Sequence, residues 1–218
     1  MEEAEFLSTT KLFEGATPEE VDSMLGCLGA YVKSFRTNEC IHRAGNAIAT
    51  VGIVVSGCVH AENVDVWGNV SIVGEFGPGD MFGEAYAATP GELLEIDFIA
   101  TRDCRVAFLM VEKVFLTCPR ACPHHSRTCR NLARSLAQSN LSLSRHIMHT
   151  APHKMRDKVM AYLSYESEKA KSKEFDIPFN RQQLANYLGV DRSALSAELS
   201  RMQSDGLLKT DRRHFVLK

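Results

Sequence analysis

The chain has 218 residues, 44% hydrophobic and 24% charged, with a formal net charge of −2. Those values suit a globular protein of two modest domains and exclude a disordered chain. No apolar run reaches the length of a membrane span, and the start Met1-Glu-Glu-Ala-Glu is unlike a signal or transit peptide, so a cytoplasmic location without membrane contact is expected.

In that compartment thiols stay reduced, and the seven cysteines are read as free, metal-bound or redox-active rather than as a disulfide framework. The small net charge hides an asymmetry. Residues 1–116 carry 7 Lys and Arg against 18 Asp and Glu, residues 117–149 carry 5 against none, and residues 150–218 carry 13 against 9. Phosphate-binding capacity therefore lies toward the carboxyl end, and the acidic front would repel DNA.

In chain order, Thr17 as cap, Pro18 at the first helical position and Glu20 three residues after the cap predict a helix from about Pro18 to Leu28. From Tyr31 to Phe115 the pattern becomes short β-prone segments: Tyr31-Val-Lys-Ser-Phe, Cys40-Ile-His-Arg, Val51 to His60, Val70 to Phe76, Asp97 to Thr101 and Cys104 to Leu109. Gly45, Gly57, Gly68 and Gly79 mark corners of a small antiparallel roll. Within it, Phe76-Gly-Pro-Gly-Asp-Met-Phe-Gly-Glu-Ala is a tight turn leading into a short helix at Gly83-Glu84. The free amides there suit an anion or a polar ligand edge, although such a turn is equally often structural.

Residues 123–149 hold no acidic side chain, and Leu132, Leu136, Asn140, Leu143 and Ile147 recur at steps of three and four. That stripe makes a seam for a partner helix, on an element roughly 40 Å long, or else faces the helix's own domain. Thr150-Ala-Pro-His reads as a hinge, and a further helix is expected from Lys154 to about Lys169. Phe175-Asp-Ile-Pro-Phe then suggests a short strand.

Residues 180–206 read as a helix-turn-helix. Leu184, Ala185 and Leu188 build one apolar face, Gly189 supplies the left-handed turn, and Asp191 caps a second helix that buries Leu195, Leu199 and Met202. Arg192, Ser193, Ser196 and Ala197 are left on its outer, amino-terminal face, where a recognition helix meets base edges. After Asp205-Gly206, Leu207-Leu208-Lys209 and His214 to Leu217 form a two-stranded wing with Asp211-Arg212-Arg213 at its tip.

The expected fold class is α+β in three parts: a β-roll at 1–116, a dimerisation helix at 117–149 and a winged helix-turn-helix at 150–218. On Gly57, the Phe76 to Glu84 turn and Gln183-Leu-Ala-Asn-Tyr-Leu-Gly-Val-Asp-Arg-Ser-Ala-Leu-Ser196, the chain resembles the Crp/Fnr family of bacterial transcription regulators over nearly its whole length. The resemblance implies a cyclic-nucleotide-binding-like roll, a double-stranded β-helix, that senses a small effector through Met81, Phe82, Gly83, Glu84 and Ala85. It implies a homodimer paired through the long helices, binding to double-stranded DNA, and RNA polymerase as a partner. Arg181 and Gln182 fall where the family touches backbone, Arg192, Ser193, Ser196 and Ala197 where it reads bases, and Arg212 and Arg213 on the wing.

Two departures stand out. The family often has a second basic residue where Ala197 stands. Its cyclic-AMP binders follow the Gly-Glu turn with an Arg-Ser pair, whereas this chain has Gly91-Glu-Leu-Leu-Glu-Ile-Asp-Phe and no Arg until Arg102, so cyclic AMP is not expected as the effector. Iron-sulfur members use an amino-terminal cysteine group, and only Cys27 and Cys40 lie in that region.

A second signal route is metal or redox change at Cys118, Cys122, His125 and Cys129, beside Arg120 and Arg127, at the start of the long helix. Buried structural thiols are the plainer alternative for this cluster. Catalysis is not expected, because residues 1–116 hold two histidines, His42 and His60, without a paired ligand motif. A ligand-binding module without DNA function would leave residues 180–217 with no role.

Overall fold

The structure, a computed structural model, describes residues 2–64, 66–67, 70–116 and 123–218, the last stretch without the side chain of Pro123. It divides into two compact units, residues 1–138 and 139–218.

The first unit opens with α1 (Glu2–Ser8), a 3-10 turn (Lys11–Phe13) and α2 (Pro18–Leu25). The start of α2 is the reciprocal cap expected from its sequence. The Glu20 N–H donates to Thr17 Oγ1 at 3.3 Å, and the Thr17 N–H donates to Glu20 Oε2 at 3.1 Å. The helix ends three residues earlier than its apolar pattern suggests, and the chain then turns through Gly29 in the left-handed region (φ 61).

The roll follows as β1 (Tyr31–Phe35), β2 (Cys40–His42), β3 (Thr50–Ser56), β4 (Val59–Val64), β5 (Val70–Phe76), β6 (Met81–Phe82), α3 (Glu84–Ala87), β7 (Asp97–Ala100), β8 (Cys104–Met110) and α4 (Val111–Phe115). Two antiparallel four-stranded sheets, ordered β1-β8-β3-β6 and β2-β7-β4-β5, enclose one core. Phe35, Val54, Val59, Phe82, Phe98 and Phe108 fill it. Ring centroids of Phe82 and Phe98 lie 4.8 Å apart, and Phe76 and Phe108 close around them at 5.8–6.4 Å. Close approach dictates glycine at one strand position and at the corner that follows it. A Cβ on Gly52 would sit 2.4 Å from the Phe82 ring, and one on Gly57 (φ 88) 2.5 Å from the Asp103 carbonyl oxygen. Of the expected corner glycines, Gly45 and Gly79 also have positive φ, and Gly68 lies outside the described residues.

α5 (Pro123–Thr150) belongs by its first half to this unit. Thr128, Asn131 and Leu132 are buried, and Asn131 Nδ2 donates to the carbonyls of Leu12 and Glu14 at 3.1 and 3.0 Å. Here the expected seam needs a correction. Leu132 is fully buried in the same core as Leu12, Phe13, Val21 and Met24, and Leu136 packs at the edge of that core. A four-and-three stripe does not say which neighbour covers it, and the unit's own helices cover Leu132. Farther along, Asn140, Leu143 and Ile147 are exposed, as are Leu141 and Met148.

The second unit contains the rest of α5, α6 (Met155–Ala170), β9 (Glu174–Asp176), α7 (Arg181–Leu188), α8 (Arg192–Ser204), β10 (Leu208–Asp211) and β11 (His214–Leu217). The strands form one antiparallel sheet, β10-β11-β9. One core joins α6, α7 and α8 to the sheet through Val159, Leu163, Phe175, Leu184, Leu188, Leu195, Leu199, Met202 and Phe215. The end of α5 is fastened to α7. His149 Nδ1 and the Tyr187 hydroxyl are 2.9 Å apart, and His146 Nε2 and the Tyr187 carbonyl oxygen 2.8 Å.

Leu132→Ala should destabilise the first unit by about 3 kcal/mol, the usual cost of emptying a leucine site that cannot collapse, as read from the urea midpoint of the full chain. His149 supplies a pH test. Burial holds its pKa below the ordinary 6.5, against the opposing charge of Glu166 and with help from His146 and Arg145, while Tyr162, Tyr165 and Tyr187 surround the ring. The unfolded chain therefore takes up this proton first, so stability present above about pH 6.5 is lost as pH falls through the depressed folded value. Urea unfolding of the second unit should show a falling midpoint across that interval, with a flatter slope in His149→Gln.

Candidate nucleic-acid interface

α7 begins at a second reciprocal cap. The Gln183 N–H donates to Asn180 Oδ1 and the Asn180 N–H donates to Gln183 Oε1, both at 2.9 Å. It ends at Gly189 in the left-handed region (φ 62), whose N–H donates to the Asn186 carbonyl at 3.2 Å. Two residues later Asp191 caps α8, accepting from the Ala194 N–H at 2.8 Å and from the Ser193 hydroxyl. The Ser193 hydroxyl first, then the Ala194 N–H, holds the Asp191 carboxyl below the usual aspartate range.

α8 buries Leu195, Leu199 and Met202 and leaves Arg192, Ser193, Ser196, Ala197 and Ser200 in solvent. Its seat is reinforced from α6: Arg156 Nε donates to Glu198 Oε1 at 2.6 Å, and Arg156 Nη1 pairs with Asp205 Oδ2 at 2.7 Å. Arg156 thus grips α8 near its middle and at its end. The Ser196 hydroxyl donates to the Arg192 carbonyl at 3.0 Å, and Ser200 repeats the pattern on Ser196. With its proton engaged, Ser196 faces outward as an acceptor.

Arg181, Gln182, Arg192, Arg212 and Arg213 line one cleft of about 840 Å³ between the α7–α8 corner and the wing, with Asp176 and Asp211 also on its wall. Arg212 occupies the left-handed region (φ 51) at the wing tip, and both wing arginines are exposed. Arg181 is different. It donates to Thr210 Oγ1 at 2.7 Å, lies 5.0 Å over the Phe215 ring, and keeps Nη1 buried without a hydrogen-bond partner. Burial pulls its pKa below the ordinary arginine value, with Asp211 opposing. Much of its guanidinium is therefore spent on joining α7 to the wing. Gln182 is exposed and donates to Asn186 Oδ1 at 2.9 Å.

The residues expected at the effector site divide. Met81 and Phe82 are buried, because β6 pairs with β3 and its two side chains alternate: Phe82 enters the ring cluster of the roll, and Met81 the core shared with Leu12, Phe13 and Met24. They are core residues, which a two-residue strand inside a turn does not announce. Gly83 is left-handed (φ 75), and a Cβ there would meet Ile48 Cδ1 at 2.9 Å. Glu84 is half-buried, and desolvation raises its pKa, while Ala85 is exposed. The structure adds His42, whose buried Nε2 has no hydrogen-bond partner and whose ring meets Phe108 and Phe98 edge-on. Burial first, then Lys33, lowers its pKa. Nothing in the spacing of the sequence distinguishes this histidine.

Of the cysteine cluster, Cys118 and Cys122 lie outside the described residues. His125 is buried with Nδ1 unpartnered, and Cys129 is a free thiol packed against the first unit's core.

Comparison with known proteins bears on both units. Residues 32–116 match the model of the cyclic nucleotide-binding domain, and residues 157–218 that of the Crp-like helix-turn-helix domain. Among solved structures, the c-di-GMP responsive global regulator CLP of Xanthomonas campestris is 21% identical, with 88% of this chain and 95% of that one covered at a TM-score of 0.53. CprK complexed with OCPA is 13% identical at a TM-score of 0.55, with 89% and 88% covered. DNR from Pseudomonas aeruginosa is 17% identical at a TM-score of 0.50, with 99% and 93% covered. No curated protein sequence matches the chain. The structural likenesses speak for the fold, and the two domain models, in this order and over well more than half the residues, speak for the family. The chain belongs to the Crp/Fnr family and is a DNA-binding transcription regulator that carries a cyclic-nucleotide-binding domain.

Proposed function

We propose that the protein acts as a homodimer whose two α8 helices enter successive major grooves, about 34 Å apart, of a near-palindromic operator. The observation that carries this reading is the exposed amino-terminal face of α8, led by Arg192, standing beside a cleft lined by arginines. Arg192 can donate two hydrogen bonds to one guanine. Ser196, as an outward acceptor, suits the amino group of adenine or cytosine. Ala197 offers a methyl group to thymine where relatives often place a cation. Arg212 and Arg213 hold phosphate, and Gln182 reaches the backbone from the start of α7.

Pairing is assigned to the exposed part of α5, where Asn140, Leu143 and Ile147 keep the four-and-three spacing and Leu143 and Ile147 are each 64% exposed. A buried polar residue such as Asn140 in a seam fixes register. The signal enters through the roll and is not cyclic AMP. Glu92 and Glu95 stand exposed where the family's phosphate-gripping pair falls, and the roll interior is packed with phenylalanine rings. Contact with RNA polymerase belongs to the same reading.

Fluorescence anisotropy on a selected operator should show salt-dependent binding. Arg192→Ala should cost about 1–3 kcal/mol of discrimination at a single base pair, and cyclic AMP should leave affinity unchanged. An Arg192→Ala protein that keeps full selectivity would sink the assignment. Ile147→Glu should turn the dimer into a monomer in analytical ultracentrifugation, with operator affinity lost in parallel; an unaltered sedimentation coefficient would place the pairing face elsewhere.

A further inference from the structure

The outer face of the β2-β7-β4-β5 sheet brings together three side chains of different donor chemistry. Cys58, just before β4, His60 on β4 and Glu75 on β5 have donor atoms that all lie within 4.8 Å of one another. Strand register explains the meeting. His60 is directly opposite Glu75, and Cys58, two residues before His60, falls on the same side of the pleat, while Val59 and Ala61 point into the roll. His60 Nε2 and Glu75 Oε2 are 2.9 Å apart, and His60 Nδ1 faces Glu62 Oε1 at 3.7 Å. The backbone under the thiol is pinned, because the Thr101 N–H and hydroxyl both donate to the Cys58 carbonyl, at 2.9 and 3.3 Å. Gly57, packed against Asp103 and Cys104, prevents the corner from shifting.

We propose that Cys58, His60 and Glu75 hold a divalent transition-metal ion of the zinc class. The donor set is one sulfur, one imidazole nitrogen and one carboxylate oxygen, which suits zinc and its neighbours and does not suit the oxygen-seeking calcium or magnesium. Thiolate and carboxylate together cancel the ion's two charges, and the thiol proton leaves to solvent on binding. Tetrahedral donors around zinc sit roughly 3–4 Å apart. His60 and Glu75, at 2.9 Å, need open only slightly to admit the ion, and the adjustment falls mainly on the Glu75 side chain, which is 71% exposed. Glu62 takes the role of the carboxylate behind a ligating histidine, orienting the ring from Nδ1 while Nε2 faces the ion. Three protein ligands leave a fourth position for water or an exchangeable group. The acidic excess of residues 1–116 draws cations toward this face. A cross-strand ion pair alone accounts for His60 and Glu75 and leaves the converging thiol unexplained.

The site lies wholly in the first unit and does not rest on the DNA reading, so its failure leaves that reading untouched. The test is titration of the reduced, metal-free full chain with Co²⁺ alone. Expected are one equivalent bound through Cys58, a thiolate-to-cobalt band in the near ultraviolet, and displacement by Zn²⁺. Cys58→Ser should remove that band, and a Cys118→Ser, Cys122→Ser, Cys129→Ser triple variant should keep it. His60→Ala, at a half-buried surface position and checked for an unchanged circular dichroism spectrum, should lower affinity at least tenfold, and Glu62→Gln roughly tenfold. A band that survives Cys58→Ser, a band lost only in the triple variant, undiminished affinity in His60→Ala, or no cobalt band in the parent chain would each overturn the proposal.

Discussion

Leu195, Leu199 and Met202 are held in one core with Leu184, Leu188, Val159 and Leu163, and Arg156 grips α8 from outside at Glu198 and Asp205. Each buried aliphatic side chain contributes about 1.5–3 kcal/mol relative to exposure, so rolling α8 by one residue would forfeit several kcal/mol. The helix can therefore present only one side, and that side begins with Arg192, Ser193, Ser196 and Ala197. Glycine at 189 lets α7 stop early enough, and Asp191 lets α8 start late enough, for this seating to be reached without strain.

The roll works by a comparable constraint with different means. Its interior is occupied by rings; Gly52 lets the backbone approach the Phe82 ring, and Gly57 lets the corner pack against Asp103 and Cys104. The polar chemistry of the unit is consequently displaced, either to single half-buried groups such as His42 and Glu84 or to the outer sheet face, where His60 meets Glu75.

Much of this was legible in the residues themselves. Caps at Thr17 and Asp191 are local, three-residue events, and each appears in the structure. The apolar periods of α7 and α8 describe helices whose covering partners are close in sequence. What stayed hidden depends on distant chain segments. Leu132 belongs to the same stripe as Leu143, yet the first is covered by residues more than a hundred positions away and the second is exposed. Met81 and Phe82 read as a ligand-facing turn because a two-residue strand has no period of its own. Cys58, His60 and Glu75 carry no motif spacing, since only the β4–β5 register makes neighbours of residues 60 and 75.

The fastening of α5 to Tyr187 has a practical consequence for anyone exchanging reading heads among such regulators. Residues 139–150 look like spacer, but His146 and His149 are built into the aromatic packing of the carboxyl-terminal unit. A graft spliced at the Thr150 bend would sever that packing and deliver a head with an unfilled socket. The natural suture lies upstream of Ser139, inside the long helix, so the transplanted piece keeps its own stem.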